Sequence, residues 1–265
     1  IGGRTPPQPL RTQEEDTEKR MGVKTEDQAR TAGAVADAGA GAGGVWYRGA
    51  AGAAAGAMAR YRIAPARNAG EWEGLAEARV VGVHELGGRM GVNWGAFEVD
   101  ALGSAMHAFL AADVARARAT AEAREAVAAR VLEANGFTGV VSCEALVAAA
   151  DRLRAFFGER FPGARWHVEV PVRASVATAG GARRLEGQID LLLETAEGLV
   201  VVDHKSATGE PSGWADTALK HGPQLAAYAR AVSLARGSAV RAAFIHFPLA
   251  GGIVELGFGR GTRNE

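Results

Sequence analysis

The chain has 265 residues, and its 30 basic and 30 acidic side chains give a formal net charge of zero. This balance argues against a free-standing nucleic-acid-binding protein, which is usually basic, but it leaves open DNA binding in a local groove or within a larger assembly. The single cysteine, Cys143, excludes a disulfide, a cysteine-based zinc site and a four-cysteine iron–sulfur cluster formed within this chain.

Residues 1–60 give little signal for folding. The first 24 are polar and charged, and residues 31–59 are of low complexity, rich in alanine and glycine. Such segments bury too little apolar surface to offset the entropy lost on ordering, so we expect a disordered linker. Residues 39–44 match G-x-G-x-x-G formally, but no strand precedes them. The chain has no G-x-x-x-x-G-K-[ST] sequence, so we do not expect it to hydrolyse ATP.

Residues 61–101 are expected to connect this linker to the folded domain. The run Ala78–His84 predicts one strand, placed at the edge of a sheet. We interpret His84 as a solvent or turn residue rather than a ligand.

Three helices are predicted next, at Leu102–Arg118, Thr120–Ala134 and Cys143–Phe157. In the first, apolar residues recur at helical spacing. His107 lies at the border of that apolar stripe. The residues alone leave it open whether His107 is a core residue or a ligand.

The run Arg165–Val176 predicts a strand. Its alternation places Trp166, Val168, Val170 and Val172 on one face, and His167 and Glu169 on the other. Pro171 within it indicates an edge strand or a bulge.

The stretch from Arg183 to Ser206 predicts an antiparallel hairpin. Two runs rich in leucine, isoleucine and valine flank a turn signal, which we interpret as a four-residue loop at Thr195–Gly198. If Glu194 pairs with Leu199, Asp190 lies directly opposite Asp203. Lys205, two residues beyond Asp203, then points to the same face.

Two carboxylates and one ammonium therefore meet on one face of apolar strands. A structural pair of Asp203 and Lys205 is one interpretation. Two opposed acids nevertheless exceed the charge that one lysine neutralises, and buried unpaired charge is costly. A divalent cation held by Asp190 and Asp203 resolves the conflict, and an oxygen-rich site of this kind suits Mg²⁺ or Mn²⁺.

After a polar loop at Thr208–Asp216, a helix is predicted at Thr217–Ala235. It carries Gln224 and Tyr228 on one face. The residues alone favour a Tyr228 ring packed on the sheet and a Gln224 amide bonded nearby, with His221 able to reach the same region. Two closing strands follow, Ala239–Phe247 with a structural His246 and Gly252–Phe258, before a tail at residues 259–265.

Four motifs of this chain occur in the order of a known family. Gly187-Gln-Ile-Asp190 followed by Val202-Asp203-His204-Lys205 resembles the Asp…(Asp/Glu)-x-Lys core of the PD-(D/E)XK nucleases. Residues 103–107 resemble a Gly-x-x-x-His motif, and residues 224–228 resemble a Gln-x-x-x-Tyr motif. Together they are similar to the RecB-type nuclease domain that ends AddA-like, UvrD-family helicase–nucleases.

The resemblance implies an α/β fold over residues 102–258, with a restriction-endonuclease-like α-β-β-β-α-β core whose mixed central sheet is flanked by helices. It implies that His107 and the backbone carbonyl of His204 join Asp190 and Asp203 as metal ligands, with Lys205 acting on the attacking water. Gln224 and Tyr228 are implied to border the metal and the DNA. Glu169 matches an acid often found on its strand, with its role left open.

The function implied is a metal-dependent DNA exonuclease module of a helicase–nuclease in double-strand break repair. Its expected partners are DNA, helicase motor domains and an AddB-like subunit, in the bacterial cytoplasm near the nucleoid. No apolar run approaches the ~18–20 residues of a membrane span, so no membrane partner is expected. Two alternatives remain, a catalytically silent DNA-binding or scaffold domain and a stand-alone exonuclease of the CRISPR-associated type.

Overall fold

The computed structural model describes residues 62–63, 72, 74–178 and 181–259. The predicted linker at residues 1–60 and the predicted tail from residue 260 onward lie outside the described residues. The described strands are β1 (Arg62–Ile63), β2 (Ala78–Glu85), β3 (Arg165–Thr178), β4 (Gly181–Thr195), β5 (Gly198–His204), β6 (Val240–Phe247) and β7 (Gly252–Phe258). The described helices are α1 (Val99–Val114), α2 (Ala121–Ala134), α3 (Cys143–Arg160), α4 (Pro211–Lys220) and α5 (Gly222–Arg236).

The strands form one mixed sheet, in which β3, β4, β5, β6, β7 and β2 lie side by side in that order. β5 and β6 run parallel, and the other neighbours in this order are antiparallel. The short β1 pairs in parallel with β4 at Arg184 and Leu185. A parallel pair needs a crossover connection, and α4 and α5 provide it between β5 and β6.

Side chains that alternate along β5 divide the core between the two faces of the sheet. Leu199 and Val201 pack in the cluster that contains residues of α4 and α5. Val200 and Val202 pack in the cluster that contains Phe157 of α3. Since successive strand residues point to opposite faces, the two helical layers cover opposite faces of the sheet. A further cluster joins α1, α2 and α3 to one another.

The predicted order of a helix, three strands, a helix and a strand is confirmed, as is the mixed sheet flanked by helices. The bounds of the first helix differ from the prediction. Helix α1 starts at Val99 rather than Leu102 and ends at Val114 rather than Arg118. Helix α2 agrees closely, because the Thr120 hydroxyl accepts the backbone N–H of Ala123 and caps its start.

The prediction that one face of β3 carries all four apolar residues is wrong. Trp166 and Val168 pack on the side of α3, whereas Val170 and Val172 pack in the cluster under α5. Between these pairs Glu169 has a backbone φ of 52°, a left-handed conformation that non-glycine residues rarely adopt. The alternation therefore changes phase at Glu169.

Strand β4 changes phase at the same level. Leu191 lies with the α3 cluster and Ile189 with the α5 cluster, although both positions are odd. β3 and β4 are paired on both sides of Glu169 and Asp190, through Val168 with Leu191 and Val170 with Ile189. Asp190, the residue between the two on β4, is thus set at a break in the sheet's regular pattern.

The helical segment before β6 is longer than predicted and is divided in two. Residues 211–216, predicted as loop, belong to α4, because Pro211 lies at the start of that helix, where a missing N–H costs nothing. Pro223 lies in the first turn of α5 and cannot sit in a helix interior, so the chain begins a new helix after His221.

Strand β2 is an edge strand, as predicted, since among the described strands it pairs with β7 alone. Its register shifts between Val80 and Gly82, and Val81 and Val83 are 52% and 43% exposed. His84 is half-buried within the strand, with its ring 5.3 Å from that of Phe156, so the expectation of a solvent or turn histidine is wrong.

A buried ion network ties the three helices α1, α2 and α3 together. Asp113 of α1 is 1% exposed and accepts hydrogen bonds from Arg124 of α2 at 2.8 and 2.9 Å. Arg154 of α3 lies 2.6 Å from the same carboxylate. Burial alone would raise the pKa of Asp113, but the two arginines outweigh it and hold the pKa below its ordinary value. None of the described helices combines the length and apolarity that a membrane crossing requires.

Candidate active site

The hairpin of β4 and β5 has the predicted register. Glu194 pairs with Leu199, and the ladder continues to Leu191 with Val202. The turn is tighter than predicted, because Thr195 pairs with Gly198 and leaves two residues between them rather than a four-residue loop. The last backbone pair is Leu191 with Val202. Asp190 and Asp203 are the next residues along each strand, and they are not paired through their backbones.

Beyond the last backbone pair, the side chain of Asp190 makes the contact between the two strands. Its Oδ2 accepts the backbone N–H of His204 at 2.7 Å. The same oxygen lies 3.6 Å from Nδ1 of His107, and the Asp190 side chain is 14% exposed. The carboxylate therefore closes the end of the hairpin and faces helix α1.

Asp203 and Lys205 form the buried half of the site. Asp203 is 2% exposed, and its Oδ2 lies 2.7 Å from the Lys205 ammonium, which confirms that the two side chains share a face. Its Oδ1 accepts a hydrogen bond from the Gln224 amide at 3.1 Å. The first turn of α5 thus bonds directly to the acid that precedes Lys205.

The environment of Asp203 favours its neutral form. Burial is the main cause and the negative charge of Asp190 the second, and together they raise the pKa of Asp203 to about 7 against the opposing effect of Lys205. The negative charge of Asp190 therefore acts on Asp203. One lysine does not compensate both acids, which is the imbalance that the sequence indicates.

His107 reaches the site because a glycine one turn earlier lets helix α1 approach closely. A Cβ on Gly103 would lie 2.7 Å from Cβ of Ser206, the residue after Lys205. The Ser206 hydroxyl also donates to the Asp100 carboxylate at 3.4 Å. This close approach gives the Gly-x-x-x-His spacing a physical reason, since any side chain at residue 103 would push α1 away from the strand end.

The side chains of His204 and His246 were not predicted to interact. Both are buried, and their Nδ1 atoms lie 3.0 Å apart. The His204 ring also packs edge-on against His107, with centroids 5.5 Å apart. Burial is the main cause that lowers the pKa of both His204 and His246 well below the ordinary value. Only the parallel pairing of β5 and β6, which the sequence does not specify, brings them together.

Glu169 adds a third carboxylate beside Asp190. Burial raises its pKa, as does the charge of Asp190, against the opposing effects of Gln188 and His107. The Gln188 amide donates to the Glu169 carboxylate. Non-glycine residues with a positive φ are strained and are common at functional sites. The positive φ of Glu169 is such a feature, and it cannot be recognised from the sequence.

Tyr228 and His221 border the site from α5. The Tyr228 hydroxyl accepts the backbone N–H of Gln188 at 3.3 Å, and burial raises the pKa of Tyr228. The ring packs in the core under the sheet. His221 joins α4 to α5, and its burial, together with the charges of Lys205 and Lys220, lowers its pKa to about 4.

The predicted residues are therefore brought to one region as two neighbouring pairs. His107 faces Asp190, and Lys205 faces Asp203. A narrow pocket is lined by both residues of the first pair together with Glu169, His204, Asp113, Arg154 and apolar side chains. Within the described part of the chain, no three histidine, cysteine or acidic side chains are grouped closely enough to hold a metal ion as they stand.

The site therefore brings together Asp190 within β4, Asp203 near the end of β5, Lys205 just after β5 and His107 on α1. The sequence matches the PD-(D/E)XK nuclease superfamily over residues 83–258, and the chain belongs to that superfamily. No curated protein matches it. Membership indicates a nuclease, which would bind DNA, and the match includes part of β2, upstream of the domain start predicted at residue 102.

Proposed function

We propose that the chain is a metal-dependent deoxyribonuclease whose active centre comprises His107, Asp190, Asp203 and Lys205. The observation that carries this proposal is the buried Asp203 carboxylate, which has a raised pKa because burial and the Asp190 charge are not offset by Lys205. A cation between the acids would remove that imbalance. Membership of the nuclease superfamily supports the same conclusion.

The donor set fits Mg²⁺ or Mn²⁺. Carboxylate oxygens suit both ions, and the imidazole of His107 suits Mn²⁺. Asp190, Asp203, His107 and the His204 carbonyl would hold the ion, and Glu169 lies close enough to Asp190 for their charges to interact. When bound, a divalent ion lowers the pKa of a bound water and polarises a phosphate oxygen.

The protein's own groups would then share the remaining work. Lys205, which is partly exposed, would orient the attacking water or stabilise charge developing on the phosphate. Gln224 would fix the Asp203 carboxylate through the bond that it already makes. Tyr228 would hold the start of the Gln188–Asp190 segment through its hydroxyl, rather than contact DNA directly, since its ring is buried.

We further propose that the enzyme is an exonuclease attached to ATP-dependent helicase motor domains and paired with an AddB-like subunit, acting in double-strand break repair in the bacterial cytoplasm. The four motifs in family order support this assignment. The neutral net charge also fits a module that gains DNA affinity from its assembly. A stand-alone CRISPR-associated exonuclease often carries a cysteine cluster, whereas this chain has one cysteine.

The test is degradation of linear DNA by the full chain with Mg²⁺ or Mn²⁺, alongside Asp203→Ala. We expect cleavage that requires the metal and is lost in the variant, with Asp216→Ala, an exposed acid on α4, as the matched control. Equal cleavage by wild type and Asp203→Ala would reject the site. End-labelled linear and covalently closed circular DNA would separate an exonuclease, which needs an end, from an endonuclease.

A second candidate is a silent DNA-binding or scaffold domain of the same fold. The observation that favours it is the closed ion pair of Asp203 and Lys205, together with the lack of a ready group of three ligands among the described residues. This candidate expects DNA binding without metal-dependent cleavage. Binding that is equal in wild type and Asp203→Ala, with no cleavage by either, would support it over the nuclease.

A further inference from the structure

Two buried histidines lie side by side next to the candidate metal ligands. His204 of β5 and His246 of β6 are partners in the parallel pair, and they are 4% and 1% exposed. Their rings are 5.0 Å apart at 76°, and their Nδ1 atoms are 3.0 Å apart. The nuclease site as described uses only the backbone of His204 and nothing of His246.

A hydrogen bond between two Nδ1 atoms constrains both rings. One Nδ1 must carry a hydrogen and the other must offer its lone pair, so the two neutral rings adopt opposite tautomers. Rotation of either ring would break the bond in a buried place where water cannot replace it. The backbone N–H of Lys205 also donates to the His246 carbonyl at 2.8 Å. His246 therefore fixes both the side chain and the strand that follows Asp203.

The ring of His204 also contacts a third histidine, His107 of helix α1. The His204 ring lies edge-on to His107 at 79°, with centroids 5.5 Å apart. Nδ1 of the same His107 ring is 3.6 Å from Asp190. The His107 imidazole, whose side chain is 29% exposed, thus has both a fixed aromatic neighbour and a carboxylate close to it.

We propose that His246 is a positioning residue, which acts through the ring of His204 to hold the His107 imidazole in the orientation that metal binding requires. This inference rests on the proposed function, since it takes His107 as a ligand. Residues behind a ligand commonly orient it, and their loss costs about 10–100-fold in metal affinity. A ring held in place before the metal arrives loses less conformational freedom on binding.

The test is Mn²⁺ binding to the full chain without DNA, measured by calorimetry or by electron paramagnetic resonance. Wild type, His246→Leu, His107→Ala and the double variant form a cycle. We expect His246→Leu to weaken Mn²⁺ binding about tenfold in the wild-type background. We expect it to have no further effect once His107 is alanine. Weakening by the same factor in both backgrounds, or none in either, would overturn the proposal.

His84→Leu is the matched control. His84 and His246 both pair with Ile253 of β7, from opposite sides, so they occupy the same level of the sheet. His84 packs on Phe156 rather than on His204. His84→Leu should bind Mn²⁺ as tightly as wild type. A tenfold loss of Mn²⁺ affinity in His84→Leu would mean that any substitution at this level of the sheet weakens binding, and it would overturn the proposal.

A measurement on the unaltered chain covers the case in which His246→Leu does not fold. Long-range proton–nitrogen correlation with ¹⁵N-histidine should show one protonated and one bare Nδ1 in this pair, with a coupling across the hydrogen bond. Two bare Nδ1 atoms would overturn the proposal. His246→Asn, whose amide can still bond to His204, should bind Mn²⁺ more tightly than His246→Leu.

Asp203→Asn separates this inference from the proposed function. Mn²⁺ binding that depends on Asp203 but not on His246 would leave the nuclease site standing and reject the positioning role. If wild type binds no Mn²⁺, or binds it equally in Asp203→Asn, the proposed metal site and the positioning role both fail.

Discussion

The Lys205 ammonium lies 2.7 Å from the Asp203 carboxylate, yet the two groups differ in exposure, at 23% and 3% of their side chains. The lysine can turn partly toward water, whereas the acid cannot. Burial therefore penalises the charge on Asp203. This asymmetry leaves the acid with a pKa raised to about 7 despite its partner.

The raised pKa predicts how the stability depends on pH. An unfolded chain releases the Asp203 proton near the ordinary pKa of 3.8, whereas the folded chain keeps it until about pH 7. Folding stability should therefore fall as pH rises between about 4 and 7, by at most about 1.4 kcal/mol per pH unit, and level off above. Urea denaturation across this range should show the decline in wild type and a shallower one in Asp203→Asn. Parallel curves would contradict the assignment.

A divalent cation should change this titration. If Asp203 holds Mn²⁺ as proposed, the ion binds the ionised carboxylate and competes with the proton on Asp203. Nuclease activity at a fixed low Mn²⁺ concentration should rise as pH approaches 7, and the midpoint should move to lower pH when more Mn²⁺ is added. Initial rates across pH at several Mn²⁺ concentrations measure this shift. A midpoint that stays fixed would mean that the titrating group does not bind the metal.

The close approach at Gly103 predicts opposite effects for two alanine substitutions. Gly103→Ala places a methyl group against Ser206, and overpacking of this kind typically costs about 1–3 kcal/mol. It should also weaken Mn²⁺ binding, because α1 carries His107. Gly158→Ala, in α3 with open space around it, should instead stabilise by about 0.5–1 kcal/mol. Thermal denaturation of both variants tests the pair, and equal signs would contradict it.

The positive φ of Glu169 predicts that glycine is preferred over alanine there. Both substitutions remove the carboxylate, but alanine keeps a Cβ in the left-handed region, which costs about 1–2 kcal/mol relative to glycine. Glu169→Gly should therefore be more stable than Glu169→Ala to urea. Arg173, exposed on the same strand and without a positive φ, should show the reverse order. The same order at both positions would contradict the strained backbone.

The ion network of Asp113 predicts a large difference between two neighbouring acids. Asp113→Ala removes the buried acid that pairs with both Arg124 and Arg154, and breaking a buried ion pair in this way typically costs about 3–5 kcal/mol. Asp151→Ala removes an acid whose side chain is 53% exposed and should cost about 1 kcal/mol or less. Chemical denaturation would compare the two. A similar loss in both would mean that the buried carboxylate contributes little.

The parts of the site that lie close together in the chain could be predicted from the sequence. The register of the β4–β5 hairpin follows from two apolar runs and a short turn, and the ion pair of Asp203 with Lys205 agrees with their predicted common face. The approach of His107 was implied by the resemblance rather than by the periodicity of its helix. The role of Gly103 in this approach becomes clear only from the structure, which places Ser206 against it.

The remaining features depend on contacts between distant residues. The phase change in β3 arises from one residue in an unusual backbone conformation, and alternation alone cannot show it. The His204–His246 bond depends on which strands run in parallel, and the partners of Asp113 come from two other helices. The helix starts at Pro211 and Pro223 were missed, although proline is a signal of a helix start in the sequence itself.

The edge of the sheet at β2 bears on whether copies of this protein could add strands to one another. A long, flat and apolar edge invites a second molecule to add its own strand, and Val81 and Val83 would favour such growth. The irregular register beside Val81 twists the strand out of line, and the charged Arg79 and Glu85 lie on either side. Sideways extension of the sheet from one molecule into the next is thereby discouraged.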